Sequence, residues 1–136
     1  MSKIDATKIW TLNYRLIQSV IASVADDIAE LGIEVKELFL LAEVDEHPHP
    51  AKLACVLSMP KPTVTVYVKR LESAGFLRRE IDPGDLRRHR LTITPTGRQA
   101  MARGFALLST AYSARLSRLT ATQQGELKTL LQKLIG

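Results

Sequence analysis

The sequence predicts a mainly α-helical fold that carries one two-stranded β-hairpin. Apolar residues return every three or four positions along most of the 136 residues, which is typical of amphipathic helices. The apolar period shortens to two only near residues 76–94, on both sides of a Pro-Gly turn. Aromatic residues make up 5% of the chain and hydrophobic residues 46%, so we expect Leu, Ile, Val and Ala to fill the core of one domain.

The first predicted helix runs from Ala6 to Leu31, and Gly32 ends it. It is about twice as long as the average helix of a globular protein. Its apolar residues form one broad face that a small domain cannot cover along the full length of the helix. We therefore expect a second copy of the chain to cover part of this face.

Three shorter helices follow the first. The second is predicted from Glu34 to Val44, and the third runs from Pro50 to Leu57, after a His-Pro-His-Pro run that interrupts helical structure. A proline-containing turn then leads into a fourth helix, residues 61–74, which ends before a glycine. The residues of the second helix predicted to face inward are Val35, Leu38, Phe39 and Ala42.

The hairpin is predicted from strands at 76–81 and 90–94, joined by the turn Asp82-Pro83-Gly84-Asp85. Because an isolated hairpin is marginally stable in water, we expect it to pack on the helices. Thr94 and Pro95 begin a fifth helix that extends to about residue 118. The last helix begins near residue 120, where Thr and Gln three positions apart predict a capping box.

Composition disfavours several classes of protein. The chain has no run of about 18 apolar residues and no N-terminal secretion signal, so we expect a cytoplasmic protein. Its single cysteine, Cys55, excludes an intrachain disulfide, and we expect the thiol to be buried and unreactive. We find no phosphate-binding loop, nucleophile elbow or paired metal-ligand motif, which argues against an enzyme and against a bound cofactor.

Charge is distributed unevenly along the chain. Residues 1–60 hold 5 basic and 9 acidic side chains, whereas residues 61–94 hold 8 basic and 4 acidic ones. A basic centre predicts a polyanionic partner. The order of elements there (short helix, turn, helix, hairpin) is that of a winged helix-turn-helix, whose second helix enters the major groove of DNA.

The fourth helix has one face suited to a core and one suited to DNA. Val64, Tyr67, Val68 and Leu71 share the inward face. On the other face, hydroxyl and methyl groups can read base edges, while cationic groups can reach phosphates. The residues predicted to contact DNA from this helix and its first turn are Lys61, Thr63, Thr65, Val66, Lys69 and Arg70.

The hairpin adds a second group of predicted DNA contacts. Arg87, Arg88, His89 and Arg90 follow the turn, and adjacent cations repel one another unless an anion lies near. Arginines on such a wing can enter the narrow minor groove, where negative potential is concentrated. Asp85 is predicted to orient the wing by pairing with the guanidinium group of Arg87.

Five segments, in this order, carry a resemblance to a known family: Thr63–Thr65, Arg70–Glu72, Gly75–Arg79, Asp85–Arg87 and Ile93–Gly97. Together they resemble the MarR family of transcription regulators, and the likeness covers nearly the whole chain. Some positions depart from the polar residues that this family often has at the recognition helix and wing. Those positions are Pro60, Pro62, Val66 and Leu86, so we expect DNA shape and wing contacts to matter more than usual.

The resemblance implies a homodimer formed by residues 1–33 and 95–136, with a winged helix-turn-helix lobe at residues 34–94. Such a dimer would place two recognition helices one DNA turn apart, ~34 Å, on a pseudopalindromic operator. The implied function is that of a ligand-responsive repressor whose effector is a small aromatic or phenolic molecule. Candidate effector contacts, which could equally be plain core or interface residues, are Trp10, Tyr14, Arg15 and Phe39.

Two other functions are compatible with the sequence: a winged-helix module that binds proteins, and a DNA-binding protein without an inducer. Zinc binding at His47 and His49, beside Glu43, Asp45 and Glu46, is a weaker interpretation, and we predict no metal site. The sequence leaves open the operator, the inducer, and whether the protein represses or activates.

Overall fold

The computed structural model describes residues 3–136, so Met1 and Ser2 of the predicted dimerisation segment 1–33 lie outside it. Within these residues there are six helices and one two-stranded sheet. In chain order the elements are α1 (Ala6–Ala29), α2 (Val35–Val44), α3 (Pro50–Val56), α4 (Lys61–Ser73), β1 (Leu77–Asp82), β2 (Asp85–Ile93), α5 (Pro95–Leu116) and α6 (Ala121–Ile135). The predicted fold class and order of elements are therefore confirmed.

Helix ends follow the local signals in the sequence. Asp5 caps α1 by accepting a hydrogen bond from the backbone N–H of Lys8 at 3.1 Å. Gly32, with φ at 88°, takes the left-handed conformation that ends the first helical segment. The capping box predicted for α6 is present between Thr120 and Gln123.

Helix α2 is buried on more sides than its periodicity predicts, because it packs against α1, α3, α5 and β2. Ala42 was predicted to face inward, and this was wrong: it is exposed. Val35 and Phe39 are only half-buried. The buried residues of α2 are Glu37, Leu38, Leu40, Leu41 and Val44.

The hairpin is antiparallel, but its second strand begins earlier than predicted. Strand β2 starts at Asp85 rather than at residue 90, so residues 87–90 lie on the strand and not in a loop. The reason is a tight turn, in which the backbone N–H of Gly84 donates to Asp82 Oδ1 at 2.8 Å. Strand pairing can therefore resume directly after the turn.

The base of the hairpin packs on the helices, as predicted. Leu77, Leu91 and Ile93 are buried. The backbone N–H of Leu91 also donates to the carbonyl of Pro48, before α3, at 2.8 Å. These contacts hold the sheet against the helix-turn-helix.

The outer helices leave apolar surface uncovered. On α1, Ile9, Trp10 and Leu12 are 50–67% exposed, whereas residues further along the same helix are buried against the chain. No residue of α6, all of which the structure describes, is buried. None of the helices within residues 3–136 combines the length and low charge needed to cross a membrane.

Candidate nucleic-acid interface and neighbouring cavity

The turn between α3 and α4 positions the recognition helix through the backbone. Ser58 has a positive φ of 52°, and the backbone N–H of Met59 donates to the carbonyl of Ala54 at 3.0 Å. Pro60 occupies the N-cap position without a side-chain hydrogen bond, and Pro62 follows in the first turn. Because proline has no N–H group, the start of α4 offers few donors to a phosphate.

Helix α4 has the two faces that the sequence predicts. Val64, Val68 and Leu71 are buried and Tyr67 is half-buried. Thr63 is also half-buried, at the edge between the two faces. The outer face exposes the remaining predicted DNA contacts, which are Lys61, Thr65, Val66, Lys69 and Arg70.

Two of these side chains are engaged within the protein. Thr65 Oγ1 donates to the carbonyl of Lys61 at 3.0 Å, so its oxygen remains available as an acceptor. Arg70 Nη1 lies 3.3 Å from Glu34 Oε1, and the Arg70 guanidinium lies 5.9 Å from the centroid of the Tyr67 ring. Arg70 therefore points toward the start of α2 and would have to leave Glu34 to reach a phosphate.

The basic residues of β2, the second strand of the wing, have no carboxylate partners among the described residues. Arg87, Arg88 and His89 are exposed and Arg90 is half-buried, and no salt bridge within residues 3–136 includes any of them. The predicted ion pair of Asp85 with the Arg87 guanidinium is wrong. Instead, Asp85 Oδ1 accepts a hydrogen bond from the backbone N–H of Arg87 at 3.0 Å. This local Asx-type bond leaves the guanidinium free.

His49 joins the wing to the start of α3. Its Nε2 lies 3.1 Å from Asp82 Oδ2, and its Nδ1 lies 3.3 Å from the carbonyl oxygen of His89. The two contacts link both strands of the wing to the helix-turn-helix. Sequence reasoning missed this role, because Asp82 and His89 lie more than thirty positions along the chain from His49.

A basic crevice lies between α3 and the wing, and we call it the wing crevice. Its basic side chains are those of Lys52, Arg79, Arg88 and His89, and Cys55 also lines it. Cys55 was predicted to be buried, and this was wrong, because α3 buries its two preceding residues and turns the thiol outward. Lys52 and Arg79 were not among the predicted DNA contacts. The only signal for Arg79 was the basic charge of residues 61–94, and Lys52 lies before that segment.

The five residues considered for zinc do not converge on one point. Glu43, Glu46 and His47 cluster, with His47 Nε2 4.0 Å from Glu43 Oε2 and 3.9 Å from Glu46 Oε2. His49 faces the wing, and Asp45 faces α5.

Asp45 joins the end of α2 to the start of α5. Its two carboxylate oxygens accept hydrogen bonds from Arg98 at 3.0 Å and 3.1 Å. These hydrogen bonds and the guanidinium charge hold the pKa of the Asp45 carboxyl below its ordinary value of 3.8, and the same contact raises the pKa of Arg98. The pair is a fixed link between the helix-turn-helix lobe and the long helix that follows it.

An apolar cavity of about 330 Å³ lies between α1, α2 and α5. Of the four predicted effector contacts, only Phe39 lines it. Trp10, Tyr14 and Arg15 are exposed and lie outside the cavity, because the first turns of α1 project beyond the helices of their own chain. The lining residues are Ile17, Val20, Ile21, Phe39, Phe105, Leu108, Ser109 and Tyr112.

Comparison with known proteins shows that this chain is similar to transcription regulators. The sequence model of the MarR family matches residues 33–89. The HTH-type transcriptional repressor Rv2887 of Mycobacterium tuberculosis is 29% identical over 136 residues, which cover 98% of this chain and 98% of that protein.

Two solved structures of the M. tuberculosis protein Rv2887 have the same fold as this chain. The complex with DNA superposes with a TM-score of 0.78 at 28% identity, over 97% of this chain and 98% of that chain. The complex with salicylic acid gives a TM-score of 0.77 at 28% identity, over 98% of both chains. The predicted winged-helix fold is therefore shared with a transcriptional repressor along almost its full length.

Proposed function

The chain belongs to the MarR family of winged helix-turn-helix transcription regulators, and from that premise we propose that it is a homodimeric repressor that binds specific sites in duplex DNA. One observation carries the proposal. The exposed face of α4 stands beside a wing whose second strand carries Arg87, Arg88 and Arg90, which have no acidic partner among the described residues. The relatives are named repressors, which confirms the prediction of a regulator rather than an enzyme.

Helix α4 would lie in the major groove. Thr65 and Val66 are exposed near its middle, where an acceptor oxygen and a methyl group can meet base edges. Lys61 and Lys69 flank them and would contact phosphates. Thr63 and Arg70 are secondary contacts, because one is half-buried and the other is held by Glu34.

The wing would contact the DNA beside the recognition helix. Arg87 would reach into the minor groove, and Arg88, His89 and Arg90 would approach the backbone. The wing crevice extends this basic surface onto α3 through Lys52. We expect Asp85 to support the wing by holding the backbone at Arg87, not by pairing with its guanidinium group.

The terminal helices would form the homodimer. Residues 1–33 and 95–136 carry most of the exposed apolar side chains, and residues 34–94 form the DNA-binding lobe. A two-fold dimer would set its two copies of α4 about one DNA turn, ~34 Å, apart on a pseudopalindromic operator. The protein would act in the cytoplasm of a bacterium, where it would have access to its operator on the chromosome.

The effector would be a small aromatic molecule bound in the cavity between α1, α2 and α5. Rv2887, the relative solved with DNA, has also been solved with salicylic acid. Phe39 belongs to the lobe and the other lining residues belong to the terminal helices, so a bound molecule would touch both parts. Two alternatives remain as outcomes of the tests: a protein-binding module, and a DNA-binding protein without an inducer.

Selection of bound sequences from a random DNA pool tests the proposed function. We expect a pseudopalindromic sequence with two half-sites about one helical turn apart. If no sequence is enriched and the affinity depends only on the salt concentration, the protein binds DNA non-specifically. Absence of DNA binding would favour the protein-binding module.

Two variants then separate the wing from the recognition helix. Arg87→Ala should lower the slope of log affinity against log salt by about 0.9, because one phosphate-range contact is lost. Arg118→Ala, which removes the same charge two residues after the end of α5, is the control and should leave the slope unchanged. Thr65→Ala should change the bases that are selected in the operator but not the salt dependence of the affinity. If the selected bases do not change, Thr65 does not contribute to sequence recognition.

A further inference from the structure

The outer face of α4 carries two neighbouring cations in different surroundings. Lys69 and Arg70 are both exposed, and both are among the predicted DNA contacts. No salt bridge within residues 3–136 includes Lys69, whereas Arg70 Nη1 lies 3.3 Å from Glu34 Oε1. Lys69 is therefore available to a phosphate at once, while Arg70 already has a carboxylate partner.

The backbone of Glu34 is fixed by local structure. Its N–H donates to Oε1 of the buried Glu37, in the first turn of α2, at 2.8 Å. It follows Gly32 by two residues, and the positive φ of that glycine, 88°, turns the chain from α1 toward α2. Glu34 therefore stays with the corner between α1 and α2, and a change of partner depends on the Arg70 side chain.

Arg70 is directed toward this corner by two contacts. Besides its bond to Glu34, its guanidinium lies 5.9 Å from the centroid of the half-buried Tyr67 ring, within the range of a cation–π interaction. The side chains of Arg70 and Glu34 are 53% and 58% exposed, so water screens their attraction. The pair is strong enough to orient Arg70 and weak enough to be exchanged for another anion.

A DNA phosphate and the Glu34 carboxylate compete for the same guanidinium. Arginine forms charge-assisted hydrogen bonds of similar geometry with both groups. While the carboxylate is near, it offsets the charge that attracts a phosphate. DNA must therefore either displace Glu34 or gain less from Arg70, and both outcomes lower the affinity.

We propose that Glu34 limits the operator affinity of this protein by competing with a DNA phosphate for Arg70. The proposal rests on the proposed function, because it concerns how tightly the recognition helix holds DNA. Glu34 is then a positioning residue, which acts through Arg70 and does not itself contact DNA. A movement of the α1–α2 corner that draws Glu34 away would free Arg70 and tighten binding.

Glu34→Gln tests the proposal, because it removes the charge and nearly preserves the shape of the side chain. Fluorescence anisotropy with the selected operator measures the affinity of the full-length protein. We expect binding to tighten by about threefold for each protomer, the range of an exposed ion pair, and so by about tenfold for a dimer that makes the contact twice. Unchanged or weaker binding would overturn the proposal.

Two double variants identify the residue through which Glu34 acts. In an Arg70→Ala background, Glu34→Gln should give no gain in affinity, because the competing pair is already absent. In a Lys69→Ala background, which lacks the neighbouring cation, the full gain should remain. A gain that persists without Arg70 would mean that the Glu34 charge repels DNA directly, which contradicts the proposal.

Glu34→Asp separates the contact from the charge. It retains the carboxylate, suits the N-cap position of α2 and shortens the side chain by one methylene, which draws the carboxylate away from Arg70. We expect an affinity between those of the wild type and Glu34→Gln. Urea denaturation should show that neither variant is more stable than the wild type, whereas loss of a merely structural residue would lower stability and affinity together.

The wild type separates this proposal from the proposed function. If wild-type protein binds no duplex DNA, the proposed function is wrong and the role of Glu34 is wrong with it. If the wild type binds its operator and Glu34→Gln binds no more tightly, only the role of Glu34 is contradicted.

Discussion

The DNA-binding lobe and the terminal helices bury their apolar residues in different ways. In the lobe, side chains of α2, α3 and α4 such as Leu41, Leu53 and Val64 are fully buried within one chain. In the terminal helices, Leu12 is 53% exposed and Leu134 is 79% exposed. The apolar side chains of the lobe are therefore covered within the chain, whereas those at the ends of the terminal helices are not.

This difference indicates what each part needs from a partner. Large apolar side chains that are exposed together on a helix face mark an interaction site when they form a patch. In the proposed function the lobe binds DNA, and a core that it shares with α1 and α5 sets the relation between α4 and the wing. We expect a second copy of the chain to complete the burial of the terminal helices.

The junction between the two parts should be the most sensitive position. Gly97, in the first turn of α5, lies against the backbone of Phe76, and a Cβ there would overlap the Phe76 carbonyl and lie 2.9 Å from Ile93 Cγ2. We expect Gly97→Ala to lower the free energy of unfolding by about 3 kcal/mol, since backbone cannot move aside easily. Urea denaturation followed by circular dichroism measures the change.

Gly125→Ala is the matched control for this prediction. Nothing lies within 4 Å of a Cβ at Gly125, in the exposed helix α6. Alanine should stabilise that helix by about 0.5–1 kcal/mol. If Gly97→Ala does not lower the free energy of unfolding, the lobe and the terminal helices are not packed as tightly as the structure indicates.

Loss of apolar surface on a terminal helix should separate the dimer. Leu12→Glu places a charge on the exposed face of α1, and we expect the dissociation constant of the dimer to rise by about 100-fold. Analytical ultracentrifugation across a concentration series measures it. Leu86→Glu, at an 81% exposed position of the wing, should leave the dimer intact. Equal dimerisation of the two variants would place the interface elsewhere.

Removal of the link between the wing and α3 should weaken DNA binding more than it destabilises the protein. His49→Ala loses the contacts with Asp82 and the His89 carbonyl, so the wing becomes mobile. We expect operator affinity to fall by about tenfold, with a change in unfolding free energy of about 1 kcal/mol or less. His47→Ala is the control, because its side chain is equally exposed, at 25%, but faces only Glu43 and Glu46.

The smallest expected effect is at the link between α2 and α5. The folded-state pKa of Asp45 is lowered, so its contribution to stability is complete above its ordinary value of 3.8 and is lost as the pH falls below it. Asp45→Asn should therefore be slightly less stable than the wild type at pH 7. The difference should shrink between about pH 5 and pH 3 in urea denaturation. A difference independent of pH would mean that the ion pair does not stabilise the fold.

Most of the fold could be predicted because its signals are local. Capping residues and glycines placed the helix ends to within about two residues. The period of α4 separated its buried face from its exposed one, as seen at Val64 and Val66. The alternation of apolar and polar residues and the Pro-Gly turn predicted the hairpin but not the start of β2. That start depends on the tight turn that Asp82 forms by accepting a hydrogen bond from the backbone N–H of Gly84.

The candidate site was predicted only in part. The basic residues of α4 and the wing are exposed as predicted, apart from half-buried Arg90. The predictions that Cys55 is buried and that Asp85 pairs with the Arg87 guanidinium were wrong, and the predicted effector contact of Trp10 is not supported. Each of these predictions depends on which neighbours surround the side chain. No pattern along the chain indicates that His49 meets Asp82, or that Ser109 lies beside Phe39.

The sequence by itself determined the fold class, the helix-turn-helix followed by a basic hairpin, and the polyanionic partner, because periodicity, capping and charge act between residues a few positions apart. Only the tertiary structure decided which part of one continuous apolar face is covered. Ile9 and Val24 belong to the same helix with similar patterning, yet one is 50% exposed and the other 5%. That outcome depends on where α5 crosses α1, and the same crossing creates the apolar cavity between these helices and α2.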